Sequence, residues 1–237
     1  MLSKKVRAPR SSKKRKGTWV DRPKKVIVLG KNLSFIQKGN KGPLPQSQKV
    51  TFVYYQYVNL NPGIAGVPSQ YVFSANGCYD PNISGGGHQP RGFDQLMALY
   101  DHYTVIGTRI NVSACNTDTT GSQIIGIYVA DNSTSSSSPI DIMERRLLTY
   151  TPLASQQAGG ACANILYQLN PNEFLGRSKP LSDPELKGSN GGNPAEQAYL
   201  HLFVMPGKEG SDEGEVNCHV RIEYTVILTE PKQPSQS

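Results

Sequence analysis

Residues 73–112 of this chain read FSANGCYDPNISGGGHQPRGFDQLMALYDHYTVIGTRINV. They combine the end of a strand, a polar Gly-rich loop, an amphipathic segment and a long alternating segment. In 92–102 the larger apolar residues fall at i, i+3, i+4 and i+7, namely Phe93, Leu96, Met97 and Tyr100. This spacing predicts one short helix over 92–102. Asp94 would lie in its first turn, where the helix dipole favours a carboxylate.

The alternation that follows predicts a half-buried strand over 103–115, with Ile106, Ile110 and Val112 on one face. Seven further segments carry strand patterns bounded by turn residues. They cover residues 49–60, 69–75, 121–131, 146–153, 162–169, 197–205 and 216–228. The segment 197–205 is nearly all apolar, which indicates burial on both faces, whereas 216–228 alternates strictly.

Eight strands, long loops and one short helix predict an all-β fold. We predict an eight-stranded antiparallel jelly-roll sandwich, in which Greek-key connections join two packed sheets. On pattern alone, other β-sandwiches stay open as alternatives. Residues 140–145 are expected to form one helical turn, residues 170–193 a long loop, and 26–29 with 33–36 a short additional strand.

Charge divides the chain sharply. Residues 1–49 hold 15 of the 25 Lys and Arg residues and one acid, Asp21, for a net charge of +14. Residues 50–237 hold 10 bases and 17 acids, for a net charge of −7. Dense like charge and few apolar residues oppose collapse, so the N-terminal segment is predicted to be disordered. We therefore divide the chain into a basic arm and linker, 1–48, and a jelly-roll domain, 49–237.

The composition of the arm predicts a polyanionic partner, because neutralising phosphates with Lys and Arg releases condensed counterions whatever the base sequence. The predicted nucleic-acid-binding residues are Lys4, Lys5, Arg7, Arg10, Lys13, Lys14, Arg15, Lys16, Arg22, Lys24 and Lys25. Four of them, Lys13, Lys14, Arg15 and Lys16, also match a short nuclear-import signal. Trp19 is expected to anchor the arm to the inner surface of the body, and stacking on a base stays open as its alternative role. A merely solubilising tail stays open as the plainer interpretation.

The four cysteines, Cys78, Cys115, Cys162 and Cys218, lie far apart and lack Cys-x-x-Cys spacing. This pattern argues against a zinc site and against a dense disulfide framework. We therefore expect isolated buried thiols in a protein made inside a cell. Since no apolar run approaches the ~20 residues that a membrane helix needs, no membrane is expected as a partner.

Several side chains suited to catalysis or metal binding lie in residues 73–112, namely Cys78, Asp80, His88, Asp94, Asp101 and His102. They lack the His-x-x-x-His spacing and the nearby cysteine of a zinc site. A calcium site using Asp80, Asp118 or Asp131 stays open as a weaker alternative, although no repeated pattern of oxygen ligands accompanies them. No Gly-x-Ser-x-Gly motif follows a strand, and no phosphate-binding loop follows the glycines at 85–87. We expect no metal, no cofactor and no enzymatic activity.

Within the same segment, a set of short motifs resembles capsid proteins of small circular, Rep-encoding single-stranded DNA viruses, the circovirus-like viruses. The matching residues are Asp80-Pro81-Asn82, Gly87-His88-Gln89-Pro90, Gly92-Phe93-Asp94-Gln95, Tyr100 and Tyr103. In those proteins these motifs lead into the fourth jelly-roll strand. The order of the predicted strands extends the resemblance over residues 49–230, and the basic arm agrees with it. Arms of circovirus-like coats are often longer and richer in arginine than this one.

The resemblance implies a structural protein that self-assembles into a small icosahedral shell around circular single-stranded DNA. A simple T=1 shell would contain sixty copies, with the arms lining its interior. The implied partners are further copies of the chain, the viral genome and a host nuclear-import receptor. The implied locations are the virion and, during assembly, the host cell nucleus.

Two other classes of function stay open on the sequence. One is a coat protein of a small RNA virus with the same fold, and the other is a non-assembling β protein that binds nucleic acid. A hydrolase or a lectin is a third and weaker alternative, because the sequence contains no motif that supports either.

Overall fold

The computed structural model describes residues 28–29, 32–33, 43–63, 66–208 and 210–233. The chain divides into two units, residues 1–41 and 42–237. In the first unit the structure describes two strands of two residues, β1 (Val28–Leu29) and β2 (Asn32–Leu33), which pair antiparallel. This pair overlaps the segments in which the sequence predicts a short additional strand.

The described part of the second unit contains eight strands arranged as a jelly roll. Their bounds are β3 (Ser47–Leu60), β4 (Ser69–Ser74), β5 (Tyr100–Asn116), β6 (Gln123–Ala130), β7 (Leu148–Leu153), β8 (Cys162–Leu169), β9 (Tyr199–Pro206) and β10 (Val216–Pro231). They form two four-stranded antiparallel sheets, ordered β3-β10-β5-β8 and β4-β9-β6-β7. The predicted fold class is thereby confirmed.

Strand β10 lies inside the first sheet. It pairs with β3 from Val216↔Leu60 to Thr229↔Ser47, and with β5 along its other edge. Its inward side chains are fully buried, as the alternation predicts: Val216, Cys218, Val220, Ile222, Tyr224, Val226 and Leu228. Removing such a side chain from water stabilises the fold by about 1.5–3 kcal/mol. The main core therefore lies between the two sheets.

Strand β9 is buried on both faces, which confirms the interpretation of its apolar run. Leu200, Leu202 and Val204 point into the main core. Phe203 and Met205 point the other way, into a second apolar cluster that includes Ile142 from the β6–β7 connection. The β6–β7 connection therefore covers the part of the outer face of the second sheet that lies around Phe203 and Met205.

The prediction for one face of β5 is wrong at Ile106. The pairing of β5 with β10 shifts register between Thr225 and Val226, which leaves Ile106 as an extra, unpaired residue. Such a bulge exchanges the two faces of a strand. Val105 is therefore buried before it, Ile106 is only partly buried, and Thr108 is buried after it.

The helix predicted over 92–102 is shorter than expected. Helix α1 spans Phe93–Met97, with Asp94 in its first turn as predicted. Tyr100 belongs instead to β5, where it pairs with Pro231 of β10. Long-range pairing in the sheet thus overrides the local helical spacing.

Two further short helices correct the prediction of a single helix. Helix α2 (Pro139–Met143) confirms the expected turn at 140–145, but α3 (Pro171–Phe174) lies in a segment predicted to be a loop. Both begin with Pro directly after a capping residue, Ser138 or Asn170, whose side chain accepts a backbone N–H. Pro is favoured at that first helical position, so a Pro-rich segment is not necessarily a loop.

Candidate nucleic-acid interface

The basic residues predicted to bind nucleic acid lie outside the described residues. This applies to Lys4, Lys5, Arg7, Arg10, Lys13, Lys14, Arg15, Lys16, Arg22, Lys24 and Lys25, and to Trp19. Their role in nucleic-acid binding, and that of residues 13–16 in nuclear import, therefore stay predictions.

The reactive side chains of residues 73–112 are dispersed over separate structural roles. Cys78 is fully buried, which raises the pKa of its thiol well above the ordinary value. His102 lies 3.6 Å from Glu230, and Asp101 lies 3.8 Å from Lys232. The Nε2 atom of His88 lies 3.1 Å from the carbonyl oxygen of Tyr55. The structure thus brings these residues into no common site.

The carboxylate of Asp118, a candidate calcium ligand, is occupied by hydrogen bonds from the backbone of two loops. Its carboxylate accepts backbone N–H bonds from Thr120 at 2.8 Å and from Gly121 and Gly214 at 2.7 Å. These bonds, led by the one from Gly121, lower the pKa of Asp118 and tie the β5–β6 loop to the β9–β10 loop. Among the residues that the structure describes, no three His, Cys, Asp or Glu side chains gather as a metal site would require.

The expectation of four isolated thiols is wrong for two of the cysteines. Cys115 of β5 and Cys162 of β8 lie directly opposite each other and form a disulfide. The strand register brings them together although 47 residues separate them in sequence. Cys78 and Cys218 are free and buried, as expected.

The outward side of the first sheet is a polar and aromatic surface, which we call the open face. It consists of the outward side chains of β3, β10, β5 and β8. Strand register arranges them in rows across the sheet, of which three run Tyr57–His219–Ser113–Asn164, Tyr55–Arg221–Asn111–Leu166 and Val53–Glu223–Arg109–Gln168.

Two tyrosines on β3 are the most prominent residues of the open face. Tyr55 and Tyr57 each remain 48% exposed. The Tyr55 hydroxyl lies 2.7 Å from Nδ1 of His219, and the Tyr57 hydroxyl donates to Oδ1 of Asn217 at 2.6 Å. The His219 ring is 6.1 Å from the Tyr55 ring and 5.4 Å from the Tyr57 ring. These contacts hold both rings in place while leaving much of their surface in solvent.

Charge on the open face differs in sign from that of the body. The outward side chains at 49–59, 109–115, 162–168 and 217–225 include three cations and one carboxylate, namely Lys49, Arg109, Arg221 and Glu223. A second carboxylate, that of Glu215 directly before β10, accepts a hydrogen bond from Asn59 at 2.7 Å. Glu223 pairs with both arginines, at 3.7 Å from Arg109 and in a close hydrogen bond with Arg221. Residues 50–237 as a whole carry −7.

The sequence contained a signal for this surface. Alternation along β3 places Lys49, Thr51, Val53, Tyr55 and Tyr57 on one face, opposite the buried Phe52, Tyr54 and Val58. Two neighbouring aromatic residues on the solvent side of one strand form a patch that is suited to binding. The prediction concentrated on the arm and assigned no binding residues to the body.

The outer side of the second sheet carries a different aromatic cluster, in which the rings are buried. His201 stacks on Tyr128 at 4.5 Å with an interplanar angle of 8°, and the Arg145 guanidinium lies 4.5 Å from the same ring. Nε2 of His201 is 2.9 Å from the carbonyl oxygen of Asn132. Burial lowers the pKa of His201, despite that hydrogen bond.

In the described part of the chain, no helix has the length and apolar character that crossing a membrane requires.

Comparison by sequence matches no protein-family model and no curated protein. Comparison by structure does find similar folds. A protein in the cryo-EM structure of mud crab tombus-like virus aligns over 86% of this chain and 96% of its own, with 12% identity and a TM-score of 0.51. The decameric BFDV capsid protein aligns over 78% and 99%, with 10% identity and a TM-score of 0.45. A turnip yellow mosaic virus protein aligns over 86% and 92%, with 11% identity and a TM-score of 0.42.

At 12% identity, the likeness to the mud crab virus protein bears on the fold alone. It extends over 96% of that protein, with a TM-score of 0.51. The chain is thus an eight-stranded jelly roll of the kind found in that virus particle.

Proposed function

We propose that this chain is a viral capsid protein without enzymatic activity. The observation that carries the proposal is the pairing of a jelly-roll body, like that in the mud crab tombus-like virus, with an N-terminal segment of +14. Shell proteins need a body that packs against its copies and a charged segment that neutralises the enclosed genome. The motifs at 80–103 favour circular single-stranded DNA as that genome.

The proposal includes a division of roles within the chain. The arm, through residues 4–25, binds the genome, and residues 13–16 recruit a host nuclear-import receptor. The jelly roll self-assembles into a small icosahedral shell, with sixty copies in the T=1 case. The protein is then a virion component that passes through the host nucleus.

Electron microscopy and sizing of the purified full-length chain test this function. We expect closed spherical particles, and we expect DNase, not RNase, to digest the nucleic acid released from them. RNase sensitivity would instead assign the chain to an RNA-virus coat. Monomers at every salt concentration and pH would overturn the capsid proposal and favour a non-assembling nucleic-acid-binding protein.

A further inference from the structure

We propose that the open face is a second nucleic-acid site, at which unpaired bases stack on Tyr55 and Tyr57. This inference rests on the proposed function, because it assumes that the chain meets a single-stranded genome. It differs from the role of the arm, since it assigns contact with bases to the folded body.

The first argument is the arrangement of the aromatic rings. Bases of any sequence stack on exposed aromatic side chains, and a four-stranded sheet with aromatic residues on one face is a known platform for single strands. Tyr55 and Tyr57 stand two residues apart on an edge strand, so their positions differ by about 6.7 Å along β3. Both rings lie outside the main core and are about half exposed, so a ligand can reach them.

The second argument is that the two tyrosine rings are already fixed in orientation before a ligand binds. His219 and Asn217 fix the tyrosine hydroxyls at 2.7 Å and 2.6 Å. Rings that are already oriented lose little conformational entropy when a ligand stacks on them. Ser113 and Asn164, in the same row as Tyr57, supply groups that hydrogen-bond base edges or sugars.

The third argument is charge complementarity. Three cations and one carboxylate lie among the outward strand residues of the open face, and a second carboxylate, Glu215, accepts a hydrogen bond from Asn59 at its end. The face is thus slightly cationic, although the body as a whole is acidic. A groove of about 630 Å³ beside Tyr55 adds Arg91 and His88, together with one carboxylate, Asp94. Arginines can bind phosphates there or stack on bases.

The composition favours a nucleic acid over a second copy of this chain. Tyr and Arg are common in protein–protein interfaces as well, but the core of such an interface is depleted of charged residues and more apolar than its rim. Here the exposed aliphatic residues Val53 and Leu166 lie at opposite edges of the sheet, and Glu223, Arg221 and Asn111 lie between them.

Binding of a fluorescent oligothymidine to the full-length chain tests the inference. At high salt, where the contribution of the arm is weakened, the double variant Tyr55→Leu/Tyr57→Leu should bind at least about 30-fold more weakly, since two stacking platforms are lost. Tyr55→Phe/Tyr57→Phe is the matched comparison. It keeps both rings but loses the hydroxyl contacts that orient them, so its affinity should lie between those of the wild type and the Leu pair. The slope of log Kd against log salt should be the same in all three proteins.

A variant of the arm separates the two sites. In this variant, Ala replaces Lys13, Lys14, Arg15 and Lys16. The slope of log Kd against log salt should fall by about 3, while the loss of affinity caused by the Leu pair persists. If the arm variant weakens binding but the Leu pair does not, the open-face site is overturned and the proposed function stands. If the wild type fails to bind at about 50 mM salt, the proposed function itself fails.

Crosslinking and duplex binding distinguish a base-stacking site on the open face from binding by the arm alone. Ultraviolet crosslinking with an iodouracil oligonucleotide should label peptides that contain Tyr55 or Tyr57, and labelling confined to the arm would overturn the site. A duplex should lose no affinity in the Leu pair, because its bases are already stacked. A change of particle size in the Leu pair, with unchanged binding, would assign the open face to a second copy instead.

Discussion

The two outer faces of the sandwich both carry aromatic side chains, and their central aromatic residues differ in whether they are covered. Tyr150, on the edge strand β7 of the second sheet, lies outside the cover and is 53% exposed. On the second sheet, Tyr128 and Phe203 are fully buried beneath the β6–β7 connection and α2. On the first sheet, Tyr55 and Tyr57 remain 48% exposed. Aromatic rings that are covered stabilise the fold, whereas rings that are fixed but exposed are available for binding.

The sequence patterns of β9 and β3 predict which outer face is covered. β9 reads YLHLFVMP, which is nearly continuous in apolar residues, and such a run requires a layer on each side. β3 reads SQKVTFVYYQYVNL and β10 alternates more strictly still, so one face of each is free to meet solvent or a ligand. The number of apolar faces on a strand therefore predicts the number of layers around it.

The largest expected contrast is between Phe203 and Tyr57. Phe203→Ala should lower the free energy of unfolding by about 3–5 kcal/mol, because it leaves a cavity in the covered cluster. Tyr57→Ala removes a ring of similar size from the open face and should cost less than about 1 kcal/mol. Urea unfolding measures both, and equal losses would show that the distinction between the faces is wrong.

The disulfide of the open face gives the second contrast. Replacing Cys115 and Cys162 with Ser should lower the free energy of unfolding by about 2–4 kcal/mol, since the bond closes a long loop in the unfolded chain. Reductant should destabilise the wild type by the same amount and leave the double variant unaffected. If reductant leaves the urea midpoint of the wild type unchanged, the disulfide does not contribute to the free energy of unfolding.

Packing against Phe203 gives a third, smaller contrast. A Cβ atom on Gly126 would lie 2.5 Å from Phe203 Cζ and 2.6 Å from the Thr149 carbonyl oxygen. Gly126→Ala should therefore destabilise the protein by about 1–3 kcal/mol through overpacking. Gly86→Ala is the control, because nothing lies within 4 Å of its added Cβ. Equal thermal midpoints for the two variants would refute the close packing at Gly126.

The smallest effect concerns the histidines of the two faces. The pKa of buried His201 lies below its ordinary value of 6.5, so the folded state takes up its proton later than the unfolded state as pH falls. Stability is therefore fully present above pH 6.5 and falls from there towards the lowered pKa. His201→Gln should remove this pH dependence, while His219→Gln on the open face should retain it. Denaturation at a series of pH values compares them, and identical profiles for wild type and His201→Gln would contradict the assignment.

The elements with strong patterns were predictable from the sequence. The alternation of β10 and the apolar run of β9 indicated their environments, and turn residues marked all eight strands. The bulge at Ile106 was not predictable, because it depends on the register between β5 and β10. The end of α1 at Met97 was missed for the same reason, since the pairing of Tyr100 with Pro231 spans most of the chain.

The candidate site was only partly predictable. Composition alone predicted the basic arm, and the binding residues predicted in it lie outside the described part of the chain. The open face needs two kinds of information, namely the alternation along β3 and the cross-strand neighbours of Tyr55 and Tyr57. Only the first is local, and His219 and Asn217 are placed beside the tyrosines by the pairing of β10 with β3. The Cys115–Cys162 bond was missed because it, too, depends on strand pairing.

The position of β10 between β3 and β5 has a consequence for the order of folding. β10 follows every other strand of the jelly roll in sequence, yet it supplies the partner for both of these long strands. Tyr57 and Asn217, which touch across that pairing, are 160 residues apart. Contacts of such high separation slow folding, because the connecting chain loses entropy before they form. A nascent chain that lacks β10 therefore cannot complete the first sheet, and the open face does not exist until β10 has been synthesised.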